Sequence, residues 1–270
     1  MSELIMSSNK LPDITNWSKT RVALRSASHL IKHIQVKFIE SKSMQLEHGI
    51  SINKNGVYTD NLGDLGRLFF NFRSGEIYLE NYSKEKVFSI DIKGKNISSL
   101  TSEIKSKFKD LGKDIILDSD ELKGTESFEF SSDDSNRAAD ILWYFYSALA
   151  RFRSKLFGAM SPVVMWTHHF DFAFVFFTSP EKRTEQDSHM CFGFAPTLDE
   201  SYKNPYAYFY AWDGPKKEYV KVEEDLPENV SWNKTFTVLK YDDVKKDEHP
   251  AEFFEDHFMK LFDLHVSKLS

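Results

Sequence analysis

Apolar residues recur along this chain with two periods, and the switches between them divide it into helices and strands. Between Asn16 and Ile34, Trp17, Leu24, Ala27, Ile31 and Ile34 fall on one face, which predicts a first helix. Shorter runs predict strands near Gly49–Asn53, Leu68–Arg73, Glu76–Asn81 and Val87–Ile92. Asn55-Gly56 and Ser74-Gly75 lie between them, where tight turns need residues that tolerate positive φ. Leu100, Ile104, Phe108 and Leu111 mark a second helix, about Ser99 to Leu111, which Gly112 stops.

From Asp114 to Asp134 the chain is polar and rich in carboxylates, which predicts a solvated loop with one short strand at Ser127–Phe130. A third helix follows, capped by Asp133, Asp134 or Ser135. Its apolar face is Ala138, Leu142, Phe145, Leu149, Phe152 and Leu156, with Arg151, Arg153 and Lys155 suiting its negative end before Gly158. Strands are then expected at about Val163–Phe177, Ser188–Ala195, Tyr206–Trp212 and Thr235–Tyr241. Pro250 opens a last helix that turns Ala251, Phe254, Phe258 and Leu261 inward.

Helix, strands, helix, twice over, predicts an α+β protein of mostly antiparallel sheets with about four helices. A polar tail, 1–14, precedes one globular domain, 15–270, in which 15–113 and 133–270 read as two closely packed, pseudo-repeated halves. The halves share no sequence identity.

Composition narrows the class. With 41% apolar and 28% charged residues in 270, the chain is neither disordered, collagen-like nor a membrane bundle. A net charge of −6 without a basic block argues against a nucleic-acid partner. One cysteine forms no internal disulfide. Met1–Lys10 lacks the pattern of a secretory signal, and no run nears the ~18 apolar residues of a membrane span. The expected location is cytoplasmic, with no membrane partner.

Candidate chemistry lies in the strands of the second half. If 161–177 is one continuous strand, Trp166, His168, Phe170, Phe172, Phe174 and Phe176 share one face, and Thr167, His169, Asp171, Ala173 and Val175 the other. His168 then reads as a core histidine, whereas His169 and Asp171 form a polar pair. Hairpin pairing with the next strand would add His189 and Asp187, beside a wall of Tyr206, Tyr208, Tyr210 and Trp212. Asp171, His189 and His169 are therefore the expected catalytic residues, and Trp166, Asp187, Tyr206, Tyr208 and Tyr210 the expected ligand contacts. Histidines with carboxylates could hold a divalent metal or act as an acid–base couple, and partly exposed polar sheet residues are the bland alternative. The spacing matches no strong motif such as two histidines one helical turn apart around a glutamate. Cys191 reads as a small buried residue before it reads as a nucleophile. His257 and Glu252 are expected at the surface and His265 in the core.

These residues resemble an uncharacterised bacterial family, domain of unknown function family 5996. The marks are Trp17-x-x-Thr20-x-x-x-Leu24, Gly56-x-x-Thr59, Phe70-Asn71-Phe72, Phe152-Arg153-x-x-x-Phe157-Gly158-x-x-Ser161-Pro162-Val163, Phe170-Asp171-x-Ala173, Ser188-His189, Gly193-Phe194-x-Pro196 and Phe209-Tyr210-Ala211. The family pattern has Asp where this chain has Asn71, and usually His where it has Gly75. Asp171 and His189 match it. The resemblance implies no activity. Three readings follow from the sequence: a small-molecule-binding protein with an aromatic cleft and a His/Asp cluster, a metal-assisted or His–Asp acid–base hydrolase using that cluster, and a protein-interaction scaffold. Cofactor, metal and oligomeric state are left open.

Overall fold

The apolar stripes and alternations become the following elements in a computed structural model that describes residues 11–14, 17–196, 204–222, 225–266 and 268–269. In chain order they are α1 (Ser18–Gln35), β1 (Gly49–Asn53), β2 (Gly56–Tyr58), β3 (Arg67–Asn71), β4 (Glu76–Glu80), β5 (Lys86–Asp91), α2 (Ile97–Asp110) and α3 (Ser132–Lys155). After these come β6 (Ala159–Met160), β7 (Val164–Trp166), β8 (Asp171–Phe177), β9 (His189–Ala195), β10 (Tyr206–Asp213), β11 (Glu218–Tyr219), β12 (Val230–Asn233), β13 (Phe236–Lys240), α4 (Tyr241–Lys246) and α5 (Pro250–Val266). Asn16 and most of the expected tail lie outside the described residues. Within that tail, Leu11 and Ile14 are buried. The architecture is α+β, with antiparallel strand pairing.

The chain divides into two compact units. The first comprises Ile14–Trp143 and Val164–Phe170; the second comprises Met1–Asp13, Tyr144–Val163 and Asp171–Ser270. Helix α3 is split between them at Trp143/Tyr144.

In the first unit the sheet runs β7-β1-β2-β3-β4-β5. Leu68 pairs with Leu79 and Phe70 with Ile77, so one face is apolar and buried. Helix α1 packs on β3 and on α2. Gln35 ties the end of α1 to β1, because its side-chain amide donates to the carbonyls of Glu47 and Gly49, both at 2.8 Å. Gly75, at φ 74, makes the turn that Ser74-Gly75 signals. Two local expectations are corrected. Ser127–Phe130 forms no strand, and a turn of 3-10 helix occupies Asp120–Leu122 instead. The cap of α3 is Ser131, whose hydroxyl accepts from the Asp134 amide at 3.2 Å, while Ser135 donates to the Phe72 carbonyl.

In the second unit the sheet runs β12-β13-β10-β9-β8, with β11 beside β10 and β6 beside β8. Its apolar face carries Phe172, Phe174, Phe192, Phe194 and Phe209, all buried. Phe145 and Phe152 of α3 and Phe258 of α5 pack on these rings, the Phe145–Phe194 pair at a centroid distance of 4.0 Å, and Phe254 of α5 packs on Phe145. His265 lies in this core, as expected, and burial lowers its pKa to about 4. His257 was expected at the surface and is buried, its ring nitrogens within 2.7 Å of the Phe253 carbonyl and 2.9 Å of the Glu228 carbonyl.

The strand expected over Val163–Phe177 is broken. Thr167–Phe170 is a turn, closed by the Phe170 amide on the Trp166 carbonyl at 2.8 Å, with Phe170 at φ 58. The Phe170 ring is buried and lies 6.0 Å from that of Phe72. This burial supports a left-handed conformation that a non-glycine residue adopts only at a cost.

Candidate functional site

The β8–β9–β10 face opposite the phenylalanine core carries Asp171, Ala173, Val175, Cys191, Gly193, Tyr208, Tyr210 and Trp212. Asp171 and His189 do share this face. Register, however, separates them. His189 pairs with Phe177, six residues along β8 from Asp171, or ~20 Å at ~3.3 Å per residue. No bridging ion or water spans that distance, so the expected carboxylate–imidazole constellation is not formed. His189 is buried, with Nδ1 2.7 Å from the Asp187 carbonyl. Asp187 in turn accepts from the amide and hydroxyl of Thr184, at 2.9 and 2.7 Å. His169 lies in the Thr167–Phe170 turn of the first unit, where strand alternation no longer applies, and Trp166 ends β7. His168, expected in the core, is exposed.

What this face does assemble is a buried polar contact. The Tyr208 hydroxyl donates to Asp171 Oδ2. Its ring crosses β9 directly over Gly193, where a Cβ would meet Tyr208 Cζ at 2.3 Å. Burial raises the Asp171 pKa to about 7, against the opposing effect of the Tyr208 hydrogen bond. Asp171 Oδ1 and Trp212 Nε1 are buried without hydrogen-bond partners among the described residues. Burial also pushes the Cys191 thiol up to about 12, which removes it as a nucleophile at neutral pH. Tyr206 is buried and stacks on Phe236.

A second constellation lies in the first unit, on residues not singled out from the sequence. His29 and His33 stand one turn apart on α1, so both imidazoles project from the same side of the helix. The 3-10 turn at Asp120–Leu122 brings Glu121 to them. Glu121 Oε2 is 2.8 Å from His29 Nε2 and 3.3 Å from His33 Nε2, and the two Nε2 atoms are 3.1 Å apart. Thr167, from the turn that breaks the expected strand, places its hydroxyl 3.0 Å from His29 Nδ1. In its hydrogen bond to Glu121, His29 Nε2 is the donor and Nδ1 accepts from the Thr167 hydroxyl; the other tautomer, with Nδ1 donating to Thr167, turns an Nε2 lone pair toward the cluster for a metal ion. Arg25 fixes the same turn, donating from Nε and Nη2 to the His168 carbonyl at 3.0 and 2.6 Å.

Electrostatically the cluster favours neutral imidazoles beside a charged carboxylate. Burial lowers the pKa of His29, and burial reinforced by Lys32 takes His33 to about 4. The hydrogen bond from His29 holds Glu121 at about 2, although its side chain is 61% exposed. Lys32 is buried, with Nζ 3.2 Å from His33 Nε2. Two neutral imidazoles and one ionised carboxylate, with ligand atoms within 4.8 Å of one another, can hold a divalent metal ion. The pair one helical turn apart was legible as His29-x-x-x-His33, though without an intervening glutamate. Glu121 carried no such signal, since it lies in the acidic stretch read as a solvated loop.

No curated protein matches the chain, and no solved structure does. One family model does match, covering residues 10–267. That span takes in both units, the tyrosine face and the histidine cluster, and the chain belongs to the family described as "Family of unknown function (DUF5996)".

Proposed function

We propose that this protein is a metal-dependent hydrolase whose divalent cation is held by His29, His33 and Glu121. The observation that carries this reading is the convergence of two Nε2 atoms and one Oε2 at separations of 2.8, 3.1 and 3.3 Å. Ligands on a tetrahedral zinc ion, at bonds of about 2.1 Å, stand about 3.4 Å apart. Three protein ligands of this type are the pattern of catalytic zinc, which supplies Lewis acidity and a water of lowered pKa. Structural zinc usually takes a closed set rich in cysteine, and the chain's one cysteine lies elsewhere, in the second unit. The hydrolase reading thus moves from Asp171 and His189 to α1.

The test is metal titration of chelator-stripped protein by calorimetry, with metal content measured by mass spectrometry. One Zn²⁺ or Mn²⁺ per chain is expected in the wild type, with loss in His29→Ala and His33→Ala while circular dichroism is retained. Hydrolysis of a panel of nitrophenyl esters should stop on chelation and return with metal. Absence of a stoichiometric ion would leave a hydrogen-bonded clasp between α1 and the 120–122 turn, and would overturn the proposal.

A second reading keeps the small-molecule site on the tyrosine face. It is favoured by one observation, the unpartnered Oδ1 of Asp171 beneath Tyr208. For the setting we propose a bacterial cytoplasm. Supporting it are the single, free cysteine and the family resemblance; no helix among the described residues is long and apolar enough to cross a membrane. The charge of −6 supports a small-molecule partner over a nucleic acid.

A further inference from the structure

We infer that the substrate handled at the His29/His33/Glu121 centre is an anion, whose phosphate or carboxylate group is received by Lys32 and Arg25. This inference rests on the metal-centre reading and adds the substrate class to it.

Residues 21, 25, 29 and 33 follow one another on α1 at steps of four, and 32 lies three beyond 29, so Arg21, Arg25, His29, Lys32 and His33 form one stripe. The stripe holds three permanent or near-permanent cations. Glu121 meets it through contacts to the two histidines. Neither Lys32 nor Arg25 forms an ion pair among the described residues. Lys32 is 8% exposed, and its Nζ contact is to His33 Nε2 rather than to a carboxylate. Glu121 acts on this buried ammonium through space but forms no ion pair with it, and a bound oxyanion in direct contact would compensate it better.

Arg25 differs in being exposed. Its Nε and Nη2 are held by the His168 carbonyl, which fixes the guanidinium plane near His29, whose pKa it lowers, with Nη1 not used in that contact. His168 and His169, both exposed in the same turn, add polar edges without negative charge. A divalent cation on the three ligands adds positive charge beside Lys32 and Arg25, because Glu121 carries only one negative charge. An anionic ester or amide supplies what the site lacks: negative charge beside Lys32 and Arg25.

The experiment uses full-length protein loaded with one equivalent of Zn²⁺ and freed of excess metal. Inorganic phosphate and acetate are titrated in parallel by calorimetry into wild type, Arg25→Gln and Lys32→Met, with zinc content measured in each. Wild type should bind at least one of the two anions, and each variant should bind it at least about tenfold more weakly with zinc stoichiometry unchanged. Arg25 is exposed, so its variant keeps the test decisive even if Lys32→Met fails to fold. Zinc-loaded wild type that binds neither anion, or variants that bind as well as wild type, would overturn the inference and leave the metal reading intact. Wild type that takes up no stoichiometric zinc yet binds the anion through Arg25 and Lys32 would overturn the metal reading and leave the anion site standing.

Discussion

The Nε2 atoms of His29 and His33 lie 3.1 Å apart on successive turns of α1, a closeness that the i,i+4 placement permits and that a cation or a shared proton can exploit. Which nitrogen of His29 carries the proton decides between these uses, and Thr167 faces the nitrogen that is turned away. Thr167→Val keeps shape and burial but removes the hydroxyl. The expected result is zinc affinity weaker by about 10–100-fold, with a melting temperature close to wild type. Calorimetric titration checks this, and unchanged affinity would show that the hydroxyl does not set the tautomer.

Asp171 makes stability depend on pH in an unusual direction for a carboxyl. Unfolded, it loses its proton near 3.8; folded, burial delays the loss to about 7. Between those values the folded state holds more protons, so this group's contribution to stability falls as pH rises from about 4 to about 7, and is level above. Asp171→Asn should remove that decline, which amounts to an effect on the order of a few kcal/mol. Urea unfolding at pH 4.5 and 8 measures it, and parallel curves for wild type and variant would refute it.

Gly193→Ala should be costly although the change is one methyl group. The added Cβ would lie 2.3 Å from Tyr208 Cζ, so the ring must leave Asp171 or the strand must shift. We expect a loss of about 1–3 kcal/mol, and a much smaller loss when the same change is made in a Tyr208→Ser background. A double-mutant cycle by chemical denaturation reads the coupling directly.

Phe145→Ala tests the core of the second unit. The ring is fully buried, stacks on Phe194 at 4.0 Å and meets Phe254 at 5.3 Å. Its removal should cost about 3–5 kcal/mol with the denaturant slope unchanged. A loss below 1 kcal/mol would mean that the neighbouring rings collapse into the space.

Much of the fold was legible because its signals are local. The stripes on α1, α2, α3 and α5 and the alternations of β3, β4, β9 and β10 announce elements that differ from expectation by a residue or two. What failed depended on information outside the local pattern. The aromatic density from Trp166 to Phe177 imitates an unbroken strand, and nothing in it marks Phe170 as the residue that takes φ 58. Parity placed Asp171 and His189 on the correct face, but parity is silent about register, and pairing of His189 with Phe177 puts them at opposite ends of a hairpin. On α1 the apolar residues drew the reading to one side of the helix, while His29 and His33 repeat with the same period on another. Glu121 joins them from some ninety positions away, a closeness that only tertiary structure creates.

The division of α3 at Trp143/Tyr144 bears on how the molecule can be made. Each unit draws on separated stretches of chain: the first is not fully synthesised until Phe170 has left the ribosome, and the second needs residues from both before and after it. A gene fragment cut at the acidic 114–134 stretch therefore delivers two incomplete pieces, and intact expression or co-expression of overlapping fragments is the practical route to either half.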